Sequence, residues 1–282
     1  MLQVLKTRLH QGHRTTKFPL ELPTLPERYR GRPAIDATKC PDDCQECVEA
    51  CPTQAVSTKR GLELDLGRCL FCTECADACP EGAIRHTQDY RMATSRRADL
   101  VLTDGDLRLA ERMADELHRI LGRALRLREV CAGSCNACDL ETNVLNTVGW
   151  DLSRFGIQFV ASPRHADGLL VTGAISRNMH AALLGAYEAV PKPRIVIAVG
   201  ACAISGGPFR DSSEVFNGVE ELLPVDLYVP GCPPHPLTIL DGFLRLIGRT
   251  HDSPKPRQVV APTGAIRAMP APQHGPQRTS TH

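Results

Sequence analysis

Eight of the thirteen cysteines in this 282-residue chain fall in two short runs, and no other feature limits its fold as tightly. The first run is Cys40-Pro41-Asp42-Asp43-Cys44-Gln45-Glu46-Cys47-Val48-Glu49-Ala50-Cys51-Pro52. The second, Cys69-Leu70-Phe71-Cys72-Thr73-Glu74-Cys75-Ala76-Asp77-Ala78-Cys79-Pro80, reads C-x2-C-x2-C-x3-C-P. Three thiolates that close together wrap three corners of an iron–sulfur cube. The fourth, on the chain leaving the loop, reaches a different cube, so two such runs bind two clusters crosswise. Zinc also takes C-x2-C pairs, but as two separated pairs, with no reason to repeat a triple-plus-one that ends in Cys-Pro. The pattern points to electron transfer.

Three residues rather than two separate Cys40 from Cys44, so the backbone N–H groups of the two loops point differently at their sulfurs. Such hydrogen bonds help set reduction potential, and the two clusters need not be equivalent. Each run sits in the same frame. Ile35-Asp36 precedes Cys40 and Leu64-Asp65 precedes Cys69; Gln54-Ala55-Val56 and Gly82-Ala83-Ile84 follow the Cys-Pro pairs. This is an internal repeat of about thirty residues, each unit a strand, a ligand loop, a short helical turn and a returning strand. Over residues 31–90 the chain resembles the bacterial-type two-cluster ferredoxin, an α+β fold. The resemblance implies one 4Fe–4S cluster on Cys40, Cys44, Cys47 and Cys79, and another on Cys69, Cys72, Cys75 and Cys51.

Composition agrees with a globular carrier of metal clusters. Hydrophobic residues make up 42% and aromatics 4%, and the formal net charge of +1 leaves no field that calls for nucleic acid. The residues from Met1 to Gly12 are too broken by charge for a signal-peptide core, so the thiols are expected to be reduced ligands in the cytoplasm. No stretch approaches the ~20 apolar residues of a membrane span. In the amino-terminal arm, residues 1–30, Leu2, Leu5 and Leu9 share one helical face, which reads either as a docking helix or as a solvated extension. Arg14, Lys17, Arg28, Arg30 and Arg32 follow, against only Glu21 and Glu27.

Past the expected ferredoxin unit, residues 31–95, a second unit spans 96–250. Helical periodicity covers Asp106–Leu121. A strand-like Leu125–Val130 precedes further strand candidates at Gln158–Ala161, Gly168–Thr172, Ile195–Val199 and Asp226–Val229. Helical intervals lie near Leu140–Trp150, Asn178–Ala189 and Pro236–Gly248. Strands alternating with helices predict a doubly wound, flavodoxin-like parallel sheet, whose ligands gather at the carboxyl ends of strands. Residues 251–282 are Pro-rich and polar and read as a disordered tail.

The other five cysteines obey the strand-end rule. Cys131, Cys135 and Cys138 follow the first strand. Cys202 lies in Gly200-Ala201-Cys202-Ala203-Ile204-Ser205-Gly206-Gly207, and Cys232 in Pro230-Gly231-Cys232-Pro233-Pro234. Together with Cys135-Asn136-Ala137-Cys138-Asp139-Leu140-Glu141, these loops resemble the small subunit of membrane-bound, energy-converting nickel–iron hydrogenases. The same fold serves as the 20 kDa-type subunit of respiratory complex I. The resemblance, over residues 125–248, implies a third 4Fe–4S cluster on Cys135, Cys138, Cys202 and Cys232, at an interface with a large catalytic subunit. Cys131 is then a spare, packed thiol. Complex I subunits carry adjacent cysteines at the first of these positions, so the C-x2-C here is of hydrogenase type. Pro26-Glu27-Arg28-Tyr29-Arg30-Gly31-Arg32-Pro33 resembles the lead into the ferredoxin-like subunit of formate hydrogenlyase and its complex I counterpart. Two subunits usually made separately are thus joined.

What this implies is an oxidoreductase subunit relaying electrons through three 4Fe–4S clusters. Its expected partners are a hydrogenase large subunit, or a complex I 49 kDa-like one, and membrane-embedded ion-translocating subunits. Its expected place is the cytoplasmic face of the inner membrane. The alternative is the same relay in a quinone-reducing or ion-pumping complex without nickel. Asp139 and Glu141 read either as proton relays or as carboxylates at a helix start. Arg164-His165-Ala166-Asp167 reads as ordinary loop polarity, and His235 as a potential-adjusting donor or a helix-start surface residue. No nucleotide-binding or acyl-transfer motif is present.

Overall fold

The computed structural model of the protein describes residues 2–250 apart from 13, 122, 123 and 134. The expected disordered tail lies outside the described residues. The first half contains α1 (Leu2–Gln11), β1 (Pro33–Ile35), α2 (Glu46–Glu49), β2 (Val56–Ser57), β3 (Glu63–Asp65), α3 (Glu74–Asp77), β4 (Ile84–His86) and β5 (Val101–Leu102). β1 pairs antiparallel with β4, and β2 with β3. Each ladder therefore takes one strand from each repeat. The two repeats interlock, and the trailing cysteine of each run is carried toward the loop of the other. β5 extends the inner ladder on the far side of β3.

The second half contains α4 (Asp115–Leu121), β6 (Leu125–Cys131), α5 (Ala137–Val144), β7 (Ile157–Phe159), β8 (Gly168–Thr172), β9 (Ile175–Ser176), α6 (His180–Ala189), β10 (Ile195–Val199), α7 (Ala201–Ser205), β11 (Val215–Phe216), β12 (Leu227–Val229) and α8 (Pro236–Leu246). Five of these strands form one sheet in the order β12-β10-β8-β6-β7, with every pairing parallel. In chain order that is 2-1-3-4-5, the flavodoxin-like doubly wound arrangement. Every residue of β8 and β10 is buried, as a parallel strand covered on both faces requires. Aspartates extend the ladder at strand starts: Asp167 Oδ2 accepts the Arg126 N–H at 2.7 Å, and Asp226 Oδ2 that of Val196 at 2.8 Å. Asp167 is thus a structural residue, in keeping with loop polarity.

Two helix expectations change. The helix expected over Asp106–Leu121 begins only at Asp115. Ahead of it Leu107, Ala110 and Met113 are buried in irregular backbone. There the Ala110 N–H donates to the Ala93 carbonyl (2.7 Å) and the Met113 N–H to that of Leu246 (3.0 Å), so tertiary partners replace the helical ones. The helix expected over Leu140–Trp150 starts earlier, at Ala137, and ends at Val144. Tight turns follow, with Leu145 N–H donating to Thr142 and Thr147 N–H to Val144.

The halves share one apolar core, in which Leu64, Leu66 and Leu100 pack with Ile204, Val219 and Tyr228. The Arg97 guanidinium grips Asp65 with two hydrogen bonds of 2.8 and 2.7 Å. Ser205 Oγ donates to the Gly67 carbonyl at 2.8 Å, and Thr94 exchanges two backbone hydrogen bonds with Tyr228 on β12. The amino-terminal arm is tied down behind α1. Thr16 N–H donates to the Gly149 carbonyl, Arg154 donates to the carbonyls of Thr16 and Phe18, and the Phe18 ring packs edge-on against Tyr90. α1 itself buries no residue, and Leu2, Leu5 and Leu9 face outward. No helix among the described residues is long and apolar enough to cross a membrane.

Candidate functional site

The interlocked repeats bring the cysteines together in sets that do not follow chain order. Cys51, the last cysteine of the first run, lines one cavity with Cys69, Cys72 and Cys75 of the second. Among the described residues no three His, Cys, Asp or Glu side chains converge tightly enough for a single metal ion. The four thiols line that one cavity together.

Electrostatics group the thiols in the same way. Burial pushes Cys75 up to about 12, with further lifts from Cys51 and Cys72, and raises Cys69 beside Cys75, Cys72 and Cys51. Burial pushes Cys47 up to about 11, with Cys79, Cys40 and Cys44 adding to it. Cys138 is raised by burial, then by Cys202, Cys232 and Cys135. Free thiols so crowded resist ionising together, whereas a cationic iron core would favour three or four thiolates around it. Cys131 lies elsewhere. It is exposed rather than packed, and its thiol, raised by partial burial, neighbours Asp139 and Thr172 rather than another cysteine.

Backbone donors already point at sulfur. The Ala55 N–H donates to Cys51 Sγ at 3.1 Å and the Ala83 N–H to Cys79 Sγ at 3.2 Å, the same offset in each repeat. The Phe71 N–H donates to Cys69 Sγ at 3.3 Å. The loop from Cys69 to Cys75 holds Phe71 (φ 55°) and Thr73 (φ 76°) in the left-handed region, while residues 40–47 hold none. The longer first loop therefore wraps its set differently, as its spacing predicts. Cys69 and Cys75 are buried; Cys40 and Cys44 are half-buried beside exposed Pro41, Asp42 and Asp43.

The third set gathers at the carboxyl ends of β6, β10 and β12. Cys138 sits in the first turn of α5, Cys202 in α7, and Cys232 beyond β12. Glycine clears the space between them. A Cβ on Gly200, whose φ is +91°, would meet Cys138 Sγ at 2.5 Å, and one on Gly207 would meet Cys202 Sγ at 2.9 Å. Cys135 and Cys232 are exposed, and so are Leu140 and Val148.

Asp139 lies in the first turn of α5, as the helix-start reading expects. It is buried and accepts a 2.6 Å hydrogen bond from Thr172 Oγ1. Burial, then Asp139, lifts the nearby Glu129 carboxyl to about 7, a group sequence reasoning missed because its strand position carries no motif. Burial also raises Glu141, which lines a cleft of about 400 Å³ together with Cys72, Cys232 and His235. His235 is no surface residue. Its Nδ1 accepts the Leu237 N–H and so caps α8, and its ring lies edge-on to both Tyr29 and Trp150.

Comparison with known proteins follows the same division. Residues 135–246 match the family described as NADH ubiquinone oxidoreductase, 20 Kd subunit, and residues 39–84 match a 4Fe-4S dicluster domain. The probable membrane-bound hydrogenase subunit mbhJ of Pyrococcus furiosus is 44% identical over 137 residues, which is 49% of this chain and 81% of that protein. The chain belongs to the 20 Kd subunit family. Formate hydrogenlyase subunit 7 of Escherichia coli is 43% identical over 143 residues, 51% of this chain and 56% of that protein. An NADH-quinone oxidoreductase subunit of Bacteroides thetaiotaomicron is 46% identical over 116 residues, 41% of this chain and 58% of that protein. The chain thus spans little more than half the length of these last two relatives. It joins a 20 Kd subunit region to an iron–sulfur domain that precedes it.

Proposed function

We propose that the chain is an electron-transfer subunit of a membrane-associated hydrogenase-type complex. In this reading the ferredoxin unit, residues 31–95, carries two 4Fe–4S clusters and the sheet unit, residues 96–250, a third. Cys40, Cys44, Cys47 and Cys79 hold the first; Cys51, Cys69, Cys72 and Cys75 the second; Cys135, Cys138, Cys202 and Cys232 the third. The observation that carries the reading is the single cavity shared by Cys51 with Cys69, Cys72 and Cys75. Bound clusters would supply one-electron transfer, which no side chain here provides by itself.

The protein's own residues do the rest. Twelve cysteines present sulfur, and the N–H groups of Ala55, Ala83 and Phe71 stabilise negative charge on it. The sites run in one direction. Cys75 of the second set lies within the electrostatic reach of Cys47 in the first, and Cys232 of the third within that of Cys72 in the second. The first set is the outer end, toward a redox donor. The third opens on the exposed rim, toward a large subunit.

Relatives named for a membrane-bound hydrogenase and for formate hydrogenlyase support the hydrogenase reading, as does the C-x2-C of Cys135 and Cys138. Relatives named for NADH-quinone oxidoreductase favour a second one, the same relay serving quinone reduction. Membrane association and a place on the cytoplasmic face follow from partner subunits in either case. Iron and acid-labile sulfide analysis tests the cofactor: about twelve of each per chain are expected from three cubes. Iron near four, or stoichiometric zinc, defeats it. Nickel content and hydrogen uptake of the purified complex decide between the two readings.

A further inference from the structure

We propose that Arg30 is a positioning residue that sets the reduction potential of the second site. It would do so by pinning the Cys69–Cys75 loop and holding a permanent positive charge at the gap toward Cys232. This rests on the three-cluster reading above.

The loop has an unusual need for support. Phe71 and Thr73, on either side of Cys72, both adopt left-handed backbone, a conformation unfavourable for a residue with a side chain. Turning the backbone this way brings the Phe71 N–H onto Cys69 Sγ. It also leaves the carbonyls of Phe71 and Cys72 to be satisfied elsewhere. Arg30 Nη1 donates to both, each at 3.1 Å. One guanidinium from the amino-terminal arm thus holds the two carbonyls that must face away from the sulfurs.

Charge is the second consequence. A guanidinium stays protonated at any working pH. Arg30 bonds to backbone carbonyls rather than to a carboxylate, and Glu141 is the acidic residue that lines the same cleft. Arg30 lines the same cleft as Cys72 and Cys232, one cysteine from each of two neighbouring sets. Its field also reaches the cavity wall. The pKa of His86, which lines the cavity with the four cysteines, is lowered by burial and then by Arg30. A fixed positive charge favours the more negative, reduced state and so raises potential. Residues 40–47 hold no left-handed backbone. The second site should then lie at higher potential than the first, drawing electrons inward.

The test is a redox titration of the intact complex followed by electron paramagnetic resonance, run after iron analysis. Iron near four would defeat the cluster reading itself. With full iron, Arg30→Gln should lower the midpoint of one cluster signal by about 59 mV or more, a tenfold change in a one-electron equilibrium. Arg30→Lys, which keeps the charge, should shift it much less, and Arg28→Gln, in the same cleft but exposed, should leave it unchanged. An unmoved midpoint in fully loaded Arg30→Gln overturns the proposal, as does an equal fall in Arg30→Lys. If Arg30→Gln fails to hold its iron, Arg30→Lys decides alone. A midpoint near wild type supports the proposal, and a tenfold fall refutes it.

Discussion

Cys131 and Cys135 stand four residues apart in the sequence and end in different surroundings. Cys131 is the last residue of β6, paired with Thr172 and next to Asp139, whereas Cys135 lies within the electrostatic reach of Cys138 and Cys232. Cys131→Ser should therefore leave iron content and the paramagnetic spectrum unchanged, while Cys135→Ser or Cys232→Ser should remove or convert one cluster of three. The reverse pattern, read by iron analysis on the two variants, would show that the third set is out of register. Glu129 makes a second residue-scale prediction. One of its carboxylate oxygens, Oε1, is buried without a partner, and the group titrates near 7 instead of 4.5 because of burial and Asp139. A carboxyl with a raised folded-state pKa binds its proton more tightly when folded. The stability it confers is complete below about 4.5 and is lost as pH rises through about 7. Thermal midpoints measured anaerobically between pH 5 and 8 should fall with pH, and Glu129→Gln should flatten that slope.

Among the elements, α8 shows how a buried helix tolerates charge. All of its residues from Pro236 to Leu246 are buried, including Asp241 and Arg245, which pair at 2.7 Å one turn apart. Removing one partner strands the other's charge in the core. Asp241→Ala should cost about 3–5 kcal/mol in chemical denaturation, whereas replacing Asp241 and Arg245 together with Leu and Met should be close to neutral. If the single and double changes cost the same, the pair is not the source of the effect. Element type was readable wherever burial and period agreed. β8 and β10 fall on the residues their apolar runs mark, since both faces are covered and every position must be apolar. The Asp106–Leu121 stretch has the period of a helix but spends Ala110 and Met113 on packing with Ala93 and α8, and Leu107 on the core shared with the first half. Its backbone bonds to Ala93 and Leu246 could not be read from spacing.

For the whole molecule, the prediction concerns partnership. Cys135, Cys232, Leu140 and Val148 are all exposed, and cysteine–iron bonds open to water are vulnerable to oxidation. The chain produced alone should lose iron in air and aggregate; produced with its large subunit it should be stable. Cross-linking mass spectrometry of the complex should centre on residues 135–141 and 232–235; residues 202–207, expected at the same rim, are instead buried within the chain. Cross-links confined to residues 31–95, with that rim left free, would refute the proposed path. The amino-terminal arm, held behind α1 where Thr15 and Thr16 donate to the carbonyls of Val148 and Gly149, should cross-link to a partner as well.

Spacing alone determined that the two runs suit cubes, that the runs are repeats of one unit, and that five further cysteines sit at strand ends of a parallel sheet. These follow from local chemistry: how far a loop reaches between thiolates, and which period of apolar residues a strand or helix can bury. Tertiary structure decided which cysteines meet. The grouping of Cys51 with Cys69, Cys72 and Cys75 depends on β1 pairing with β4 and β2 with β3, which is a long-range choice. So do Arg30 on the carbonyls of Phe71 and Cys72, and Glu129 beside Asp139. Each joins residues that no periodicity links, because burial and hydrogen-bond satisfaction are settled only when distant segments compete for the same space.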